Sequence, residues 1–588
     1  MFPLIVLLPF IVSFICCIAL KSHGKYPKYI ALGAGLITLV LAIVLLLSPQ
    51  SSQTINWFSA GSVLFTLDTA IFNMNKLLLM LVTVMAPIIT YYSFGIINTD
   101  SEQGRYYAIL SLFTVAMLLF SISNGFITVL IAWGLMGITS YLMIGFWYKR
   151  RNSPSSARKA ITTMVIGDVA MIGGVAIIWA GYSTFSFTAI LAAPPSLYLT
   201  SALSLILIAV FTKSAQFPFN GWLPDAMEGP TPVSAFIHSS TMVKAGVFLV
   251  AVLLPLFARA GLTTVLIVIG CVTALIGATN ALRETHIKRV LAYSTMEDIG
   301  IMFIALGFLS IPAAIILFFV QTFYKALLFL SAGTVIAANN GEENITKSYG
   351  LKSNKILLTI TIIAALSLIG LFPLSGFFGK AAVATAASGN IIVYIILNLV
   401  ELISAVYMIR WVYYISRQPT KERRAELSIS YKILPKCLIA AGVVVLALLI
   451  ASSAYPLYLT GFMGWNVNII LIEALTATGM IAIGALLAYL FYYHTSRKPL
   501  LGGKPDFLLD SEFAIDWFYL STVYVFSAIA SAANSLEIYF NKVEGLFNRL
   551  GLWAGRKIGL TENGQIGTYL FAAILGFILI SLLVMVLI

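Results

Sequence analysis

Apolar residues fall in long unbroken runs separated by short polar stretches. A helix that crosses the hydrocarbon of a bilayer needs about 20 predominantly apolar residues. On that measure the chain predicts about sixteen membrane helices. They lie near 2–20, 29–48, 75–98, 106–123, 124–148, 158–182, 199–218, 231–256, 261–282, 289–309, 311–339, 355–378, 390–416, 433–455, 466–494 and 566–588. Barrel strands would instead show as alternating segments about ten residues long. The fold class read from the pattern is all-α and polytopic. One stretch departs from it. Over about 510–560, residues such as Phe518, Ile529, Leu536, Phe540, Val543 and Phe547 recur mainly at three- and four-residue spacing among polar positions. That amphipathic pattern predicts a helix lying along the membrane. If about 43 of these residues are helical, at roughly 1.5 Å each they would extend about 65 Å.

Composition agrees. Of 588 residues, 60% are hydrophobic and 10% charged. A soluble chain of this length would form several domains, and this one has too little charge to cover their surfaces. The formal charge of +13 raises the question of a nucleic-acid partner. The basic residues answer it, because they gather in alternate loops: Lys21, Lys25 and Lys28; Arg105; Lys149 to Lys159; Arg283, Lys288 and Arg289; Lys347, Lys352 and Lys355; Arg417 to Lys436. The positive-inside rule turns that pattern into a topology with the N-terminus outside. The charge is therefore an orientation signal, and no nucleic-acid partner is expected. The first apolar run has no basic residues before it, which predicts an uncleaved first span rather than a signal peptide. Cys16, Cys17, Cys271 and Cys437 lack metal-ligand spacing. No Gly-rich phosphate loop, haem motif or iron–sulfur cysteine run occurs, so cofactors are expected in partner chains.

Charges remaining inside the spans carry the functional signal, because a charge at the bilayer centre is costly and marks an ion path or a structural pair. Lys213 stands in the seventh span just before Pro218, which breaks or kinks the helix. Lys380 stands at the end of the twelfth, after Pro373, Gly376 and Gly379. Two interrupted helices with lysines, five spans apart, predict an inverted internal repeat, a transporter signature. The boundaries follow: N-terminal spans over 1–100, repeats over 101–260 and 261–416, two spans over 417–495, the lateral segment over 496–565 and an anchoring span over 566–588. Lys244, Lys325 and His238 add further basic groups, and Asp168, Glu297, Asp298 and Glu401 supply acids. A lysine drawn out of water holds its proton less tightly, and a neighbouring carboxylate restores the grip. Such a set can load and release protons. The alternatives are structural pairing, or a packing role for His238.

Three motifs carry a resemblance to a known family. They are Trp222 to Ala235 (WLPDAMEGPTPVSA) running on through His238 to Gly246, Lys288 to Met296 (KRVLAYSTM), and Gly376 to Lys380. These blocks closely resemble the proton-translocating antiporter-like subunits of respiratory complex I. The lateral segment and last span are similar to those of the largest, distal member. The resemblance implies a subunit of a redox-driven proton pump in a prokaryotic cell membrane. Its partners would be other membrane-arm subunits and the lipid bilayer, with quinone, flavin and iron–sulfur clusters in those partners. It also implies that Lys213, Lys325 and Lys380 are central path lysines and His238 a path histidine. Departures matter. The family's glutamate after the span-five tryptophan is Gly134 here, and its arginine before Asp168 is Val165. Its two span-eleven histidines are Leu317 and Gln321, its span-ten Ser-Gln is Glu297-Asp298, and the carboxylate after its span-twelve lysine is Ala381. Asp168 is expected to take over the acid role beside Lys213, or that half-channel is inactive. Glu297, Asp298 or Glu401 is expected to supply charge near Lys325 and Lys380. The competing readings are a subunit of a multisubunit sodium/proton antiporter, a subunit of a membrane-bound hydrogenase, and a passive scaffold.

Overall fold

The computed structural model describes residues 2–20, 26–61, 63–97, 102–417, 436–463 and 471–490. Within them the apolar runs are helices, since a chain in hydrocarbon must satisfy its backbone polar groups internally. After a 3-10 turn at Phe2–Leu7 come α1 (Leu8–Ala19) and α2 (Tyr26–Leu47). Then follow α3 (Asn73–Ile96), α4 (Gln103–Ser121), α5 (Phe126–Ile144), α6 (Ser153–Tyr182), the short α7 (Phe187–Ala192) and α8 (Leu199–Lys213). The next group is α9 (Trp222–Asp225), α10 (Thr231–Ser239), α11 (Met242–Val252) and α12 (Leu254–Arg259). The second half holds α13 (Thr263–Arg283), α14 (Ile287–Gly307), α15 (Ile311–Ala338), α16 (Lys355–Ile369), α17 (Ser375–Ala387), α18 (Ile391–Ser416), α19 (Lys436–Met463) and α20 (Leu471–Ala488).

Ten of the described helices, with α10 and α11 taken together, are long and apolar enough to cross a membrane. The other expected spans within the described residues coincide with shorter apolar helices, over Pro3–Ala19, Leu199–Lys213, Lys355–Ile369, Lys436–Ser452 and Thr478–Ala488. The lateral segment and the span expected at 566–588 lie outside the described residues. The apolar windows of α14 and α15 are fully buried, against 33% for α2 and 39% for α6. That contrast puts α14 and α15 at the centre and α2 and α6 at the periphery. Close packing at the centre needs small residues. On α13 and α14, Gly270 and Gly300 face each other so closely that a methyl on either would run into the other's carbonyl.

The all-α expectation missed one element. Residues Ser52–Ala60 (β1) and Val63–Ala70 (β2) form an antiparallel hairpin, Ser52 opposite Ala70 and Ala60 opposite Val63, with a bulge near Trp57. Its β-branched and aromatic residues suit a pleated strand, and Gly61 turns the chain at positive φ. The hairpin is pinned to the loop before α5, where the Asn124 amide and the Thr128 hydroxyl donate to the Asp68 carbonyl at 2.9 and 3.0 Å.

Several basic side chains outside the expected path end helices. Lys76 donates to the carbonyls of Leu46 and Ser48, at the C-terminus of α2. Arg410 donates to the carbonyls of Ala281 and Glu284 at the end of α13. A cation there meets the negative end of the helix dipole.

Candidate functional site

The helix interruptions around the lysines are real, but they differ from the expected geometry. α8 ends at Lys213 itself. The chain then turns through Ala215 at positive φ and the cis Phe217–Pro218 peptide before resuming at Trp222. The Trp222 indole donates to the Thr212 carbonyl at 2.9 Å, tying the start of the Trp222–Ala235 motif back to the broken end. In the second break, α16 ends at Ile369 and α17 begins at Ser375, with a cis Phe372–Pro373 peptide between them. Lys380 lies in the second half of this interrupted helix, within α17. Gly376 makes the break possible: its amide donates to the Ser367 hydroxyl at 3.2 Å, and a methyl at 376 would collide with the Ser367 carbonyl. A third interruption was not foreseen. The expected span 231–256 divides at Ser240 and Thr241, between α10 and α11.

The first site joins three helices. Lys213 is fully buried. Its Nζ lies 3.6 Å from Asp168 Oδ1 of α6 and donates to the Trp133 carbonyl of α5 at 3.0 Å, with the Trp133 ring 5.1 Å away. Asp168 is a quarter exposed. A Cβ at Gly137 would sit 3.3 Å from Lys213 Nζ, whereas one at Gly134 would meet nothing within 4 Å.

The second site is larger. Lys325 of α15 pairs with Asp298 of α14 at 3.0 Å and donates to the Ser294 hydroxyl at 2.6 Å. The Tyr324 hydroxyl donates to the same Asp298 oxygen at 3.1 Å. Glu297, the neighbouring residue, lies 3.5 Å from Lys380 of α17 and accepts from the Ser404 and Tyr407 hydroxyls of α18 at 2.5 and 2.8 Å. Glu401, one turn before Ser404, is buried and within electrostatic range of Lys380 and Glu297. Between the sites, α11 packs on α8 and brings Lys244, which donates to the Phe318 carbonyl and the Thr322 hydroxyl of α15 at 2.6 and 2.7 Å. Buried His238 stacks on Phe329, ring centroids 4.8 Å apart, and neither ring nitrogen has a protein partner.

The structure thus gathers Lys325, Lys380, Glu297, Asp298 and Glu401 into one cluster and sets Lys213 with Asp168 apart. Lys244 and His238 stand on the α10–α11 element, within electrostatic range of Lys325. The sequence reading missed Ser294, Thr322, Tyr324, Ser404 and Tyr407. Their signal was present, since Glu401, Ser404 and Tyr407 recur at threes on one apolar helix, as do Ser294 and Glu297.

On the face carrying the basic loops, two acids clamp the ends of these helices. Asp225 bridges Lys159 at 2.9 Å and Arg289 at 3.1 Å. Glu343 bridges His286 at 2.9 Å and Lys288 at 3.0 Å. Burial pushes the Glu343 carboxyl up, but the His286 hydrogen bond and the Lys288 ammonium outweigh it and hold it down at about 2.

Known proteins resemble this chain over most of its length. Residues 123–404 match the family model described as NADH:quinone oxidoreductase/Mrp antiporter, TM. Over 636 aligned residues the chain is 30% identical to NAD(P)H-quinone oxidoreductase subunit 5 of the chloroplast of Chaetosphaeridium globosum, covering 96% of this chain and 94% of that one. The chain belongs to the NADH:quinone oxidoreductase/Mrp antiporter family. Its nearly full-length likeness is to a subunit 5 member, and a subunit L member of Mycobacterium tuberculosis matches at 34% identity over 64% of this chain and 59% of that one. The chloroplast subunit 5 of Zygnema circumcarinatum matches at 34% identity over 386 residues, 62% of this chain but only 55% of that relative. These chloroplast relatives show that the family extends beyond prokaryotic membranes. A chain in the structure of the Mrp complex from Dietzia sp. DQ12-45-1b has the same fold, with TM-score 0.70 at 20% identity, covering 99% of this chain and 63% of that one. The protein is a multi-pass membrane protein, and its family members are parts of multisubunit membrane complexes.

Proposed function

We propose that this chain is a proton-translocating membrane-arm subunit of a redox-driven quinone oxidoreductase of the complex I type, as its full-length likeness to subunit 5 proteins supports. The observation that carries the reading is the buried series of ion pairs across the membrane interior, Lys213–Asp168, Lys325–Asp298 and Lys380–Glu297. The insertion cost of one such charge at the bilayer centre is about 2.5–3.5 kcal/mol, and a purely structural core would be as stable with apolar residues there. Buried polar atoms without a protein partner lie between and beside the lysines, among them Ser214 Oγ, Gln216 Oε1, Ser239 Oγ, Ser240 Oγ and both ends of Gln321. Interior groups of this kind are satisfied by ordered water, which carries protons between side chains.

In this reading a lysine gives its proton to the facing carboxylate or to water when its partner moves, and is reloaded from the other side. Lys213, Lys244, Lys325, Lys380, His238, Asp168, Glu297, Asp298 and Glu401 form the path. The two broken-helix lysines stand in corresponding places of two five-helix repeats. The alternation of basic loops along the sequence supports an N-terminus outside, and we place the chain in a prokaryotic inner membrane. Among the described residues no group of three or more histidine, cysteine or carboxylate side chains is placed to hold a metal ion. We assign the flavin, iron–sulfur clusters and quinone site to partner subunits, so this chain contributes translocation and no redox centre.

The test is proton pumping by the assembled complex in proteoliposomes, read as protons moved per quinone reduced. Lys325→Ala and Lys380→Ala are expected to lower that yield while quinone reduction persists. An unchanged yield in fully assembled variants would overturn the proposal. The second reading, a cation/proton antiporter subunit, is favoured by the shared Mrp fold. It predicts sodium-dependent proton movement with no electron donor present.

A further inference from the structure

Glu297 and Asp298 are consecutive on α14, yet each holds a lysine from a different helix. Neighbouring residues on a helix project about 100° apart, so one turn of α14 reaches both α15 and α17. We propose that these two carboxylates form a two-position proton relay that connects Lys325 to Lys380, with Tyr324 and Tyr407 keeping each carboxylate hydrogen-bonded when its lysine lets go, and with Glu401 as the acid beyond Lys380. This rests on the proton-translocating reading and specifies how its second half works.

Four observations carry it. Both carboxylates are at 0% exposure, so any proton they exchange comes from the groups that touch them. The two ends are held unequally. Lys325 has Asp298 at 3.0 Å and Ser294 at 2.6 Å, whereas Lys380 lies 3.5 Å from Glu297 and its Nζ makes no hydrogen bond to the protein. Glu297 does not depend on Lys380, because Ser404 and Tyr407 hydroxyls already satisfy both its oxygens. Asp298 Oδ1, by contrast, has no protein partner, which leaves it an open position for a proton. Finally, the formal charges cancel. Lys244, Lys325 and Lys380 face Asp298, Glu297 and Glu401, and Lys244 lies within electrostatic range of Asp298. A proton that moves inside a neutral set buries no new net charge, which avoids the cost of carrying an isolated charge through hydrocarbon.

The steps balance without any other reactant. Lys380 gives a proton to Glu401: an N–H bond breaks, an O–H bond forms, and ammonium plus carboxylate become amine plus acid. Lys325 gives a proton to Asp298 in the same way. The acid proton of Asp298 passes to Glu297, where one O–H bond breaks and another forms. Glu297 then reprotonates the Lys380 amine. The two carboxylates and the two tyrosines lie within electrostatic range of one another, and Tyr324 and Tyr407 are the hydroxyls through which the Asp298-to-Glu297 transfer is held.

The test uses the whole complex in proteoliposomes, with assembly checked on native gels. Glu297→Gln and Asp298→Asn are expected to lose as much proton yield per quinone as Lys380→Ala, while Glu297→Asp, which keeps a titratable group, should lose less. Tyr407→Phe, which keeps the ring, should slow pumping roughly tenfold or more if the charged hydrogen bond is lost, and should shift the pH profile of pumping, which a merely structural tyrosine would not do. If an assembled Glu297→Gln/Asp298→Asn double variant pumps as wild type while Lys325→Ala and Lys380→Ala do not, the relay is wrong and the translocation reading stands. If the lysine variants also pump as wild type, that reading falls with it. Should the neutral double variant not assemble, Glu297→Asp and Tyr407→Phe decide: an unchanged pH profile in Tyr407→Phe overturns the relay.

Discussion

Lys213 and Lys380 both flank interruptions in apolar helices, one before its break and one after, but their surroundings differ. Lys213 has one carboxylate, Asp168, which is a quarter exposed on the α6 side, and a backbone carbonyl. Lys380 belongs to a buried cluster with Lys325, three acids and four hydroxyl side chains. The same device, a lysine at a helix break, is thus built once as a simple pair near the periphery and once as a network at the centre. The lesson is that interrupting a helix only makes room for a charge. How much that charge can do depends on how many partners the neighbouring helices bring.

The contrast can be broken most sharply through stability. Removing one partner of a fully buried pair costs about 3–5 kcal/mol, because the other charge is left uncompensated. Asp298→Ala is therefore expected to lower the thermal midpoint of the assembled complex strongly. Asp168→Ala also strands a buried lysine, but Asp168 is a quarter exposed and Lys213 keeps the Trp133 carbonyl, so the loss should be smaller. Equal losses in a melting series would erase the distinction. Next in size are the glycines. Gly376→Ala pushes a methyl into the Ser367 carbonyl and should cost about 1–3 kcal/mol through overpacking, seen as a several-fold drop in assembled complex. Gly134→Ala meets open space and should assemble normally.

A smaller effect is expected at the loop clamp. The Glu343 carboxyl is held at about 2, below its ordinary value of 4.5. A depressed acid contributes stability that is fully present above the unfolded-state value and is lost as pH falls through the folded one. The stability difference between wild type and Glu343→Gln should hold from neutral pH to about 4.5 and shrink toward pH 2, measured as melting point against pH. A difference that grew on acidification would contradict the clamp.

Much of this was legible along the chain. Apolar runs of spanning length fixed the membrane class, because the bilayer imposes one length and one kind of backbone on any segment that crosses it. Ionisable residues inside those runs marked the site for the same energetic reason, and Lys213, Lys325, Lys380, Asp168, Glu297 and Asp298 were all visible as exceptions to the pattern. The hairpin at 52–70 was not called, since a short polar-apolar alternation between two long spans is a weak signal beside them. The pairing was also hidden. Adjacent letters in the sequence, Glu297 and Asp298, serve different lysines, while Tyr407 reaches Glu297 across 110 positions. Helical spacing states which face a side chain occupies but not which helix lies opposite. What the sequence determined by itself was therefore which residues leave water, because that depends on local hydrophobicity. Which of them share a proton was decided by the tertiary structure alone, because a hydrogen bond acts over about 3 Å and only packing brings α14, α15, α17 and α18 that close.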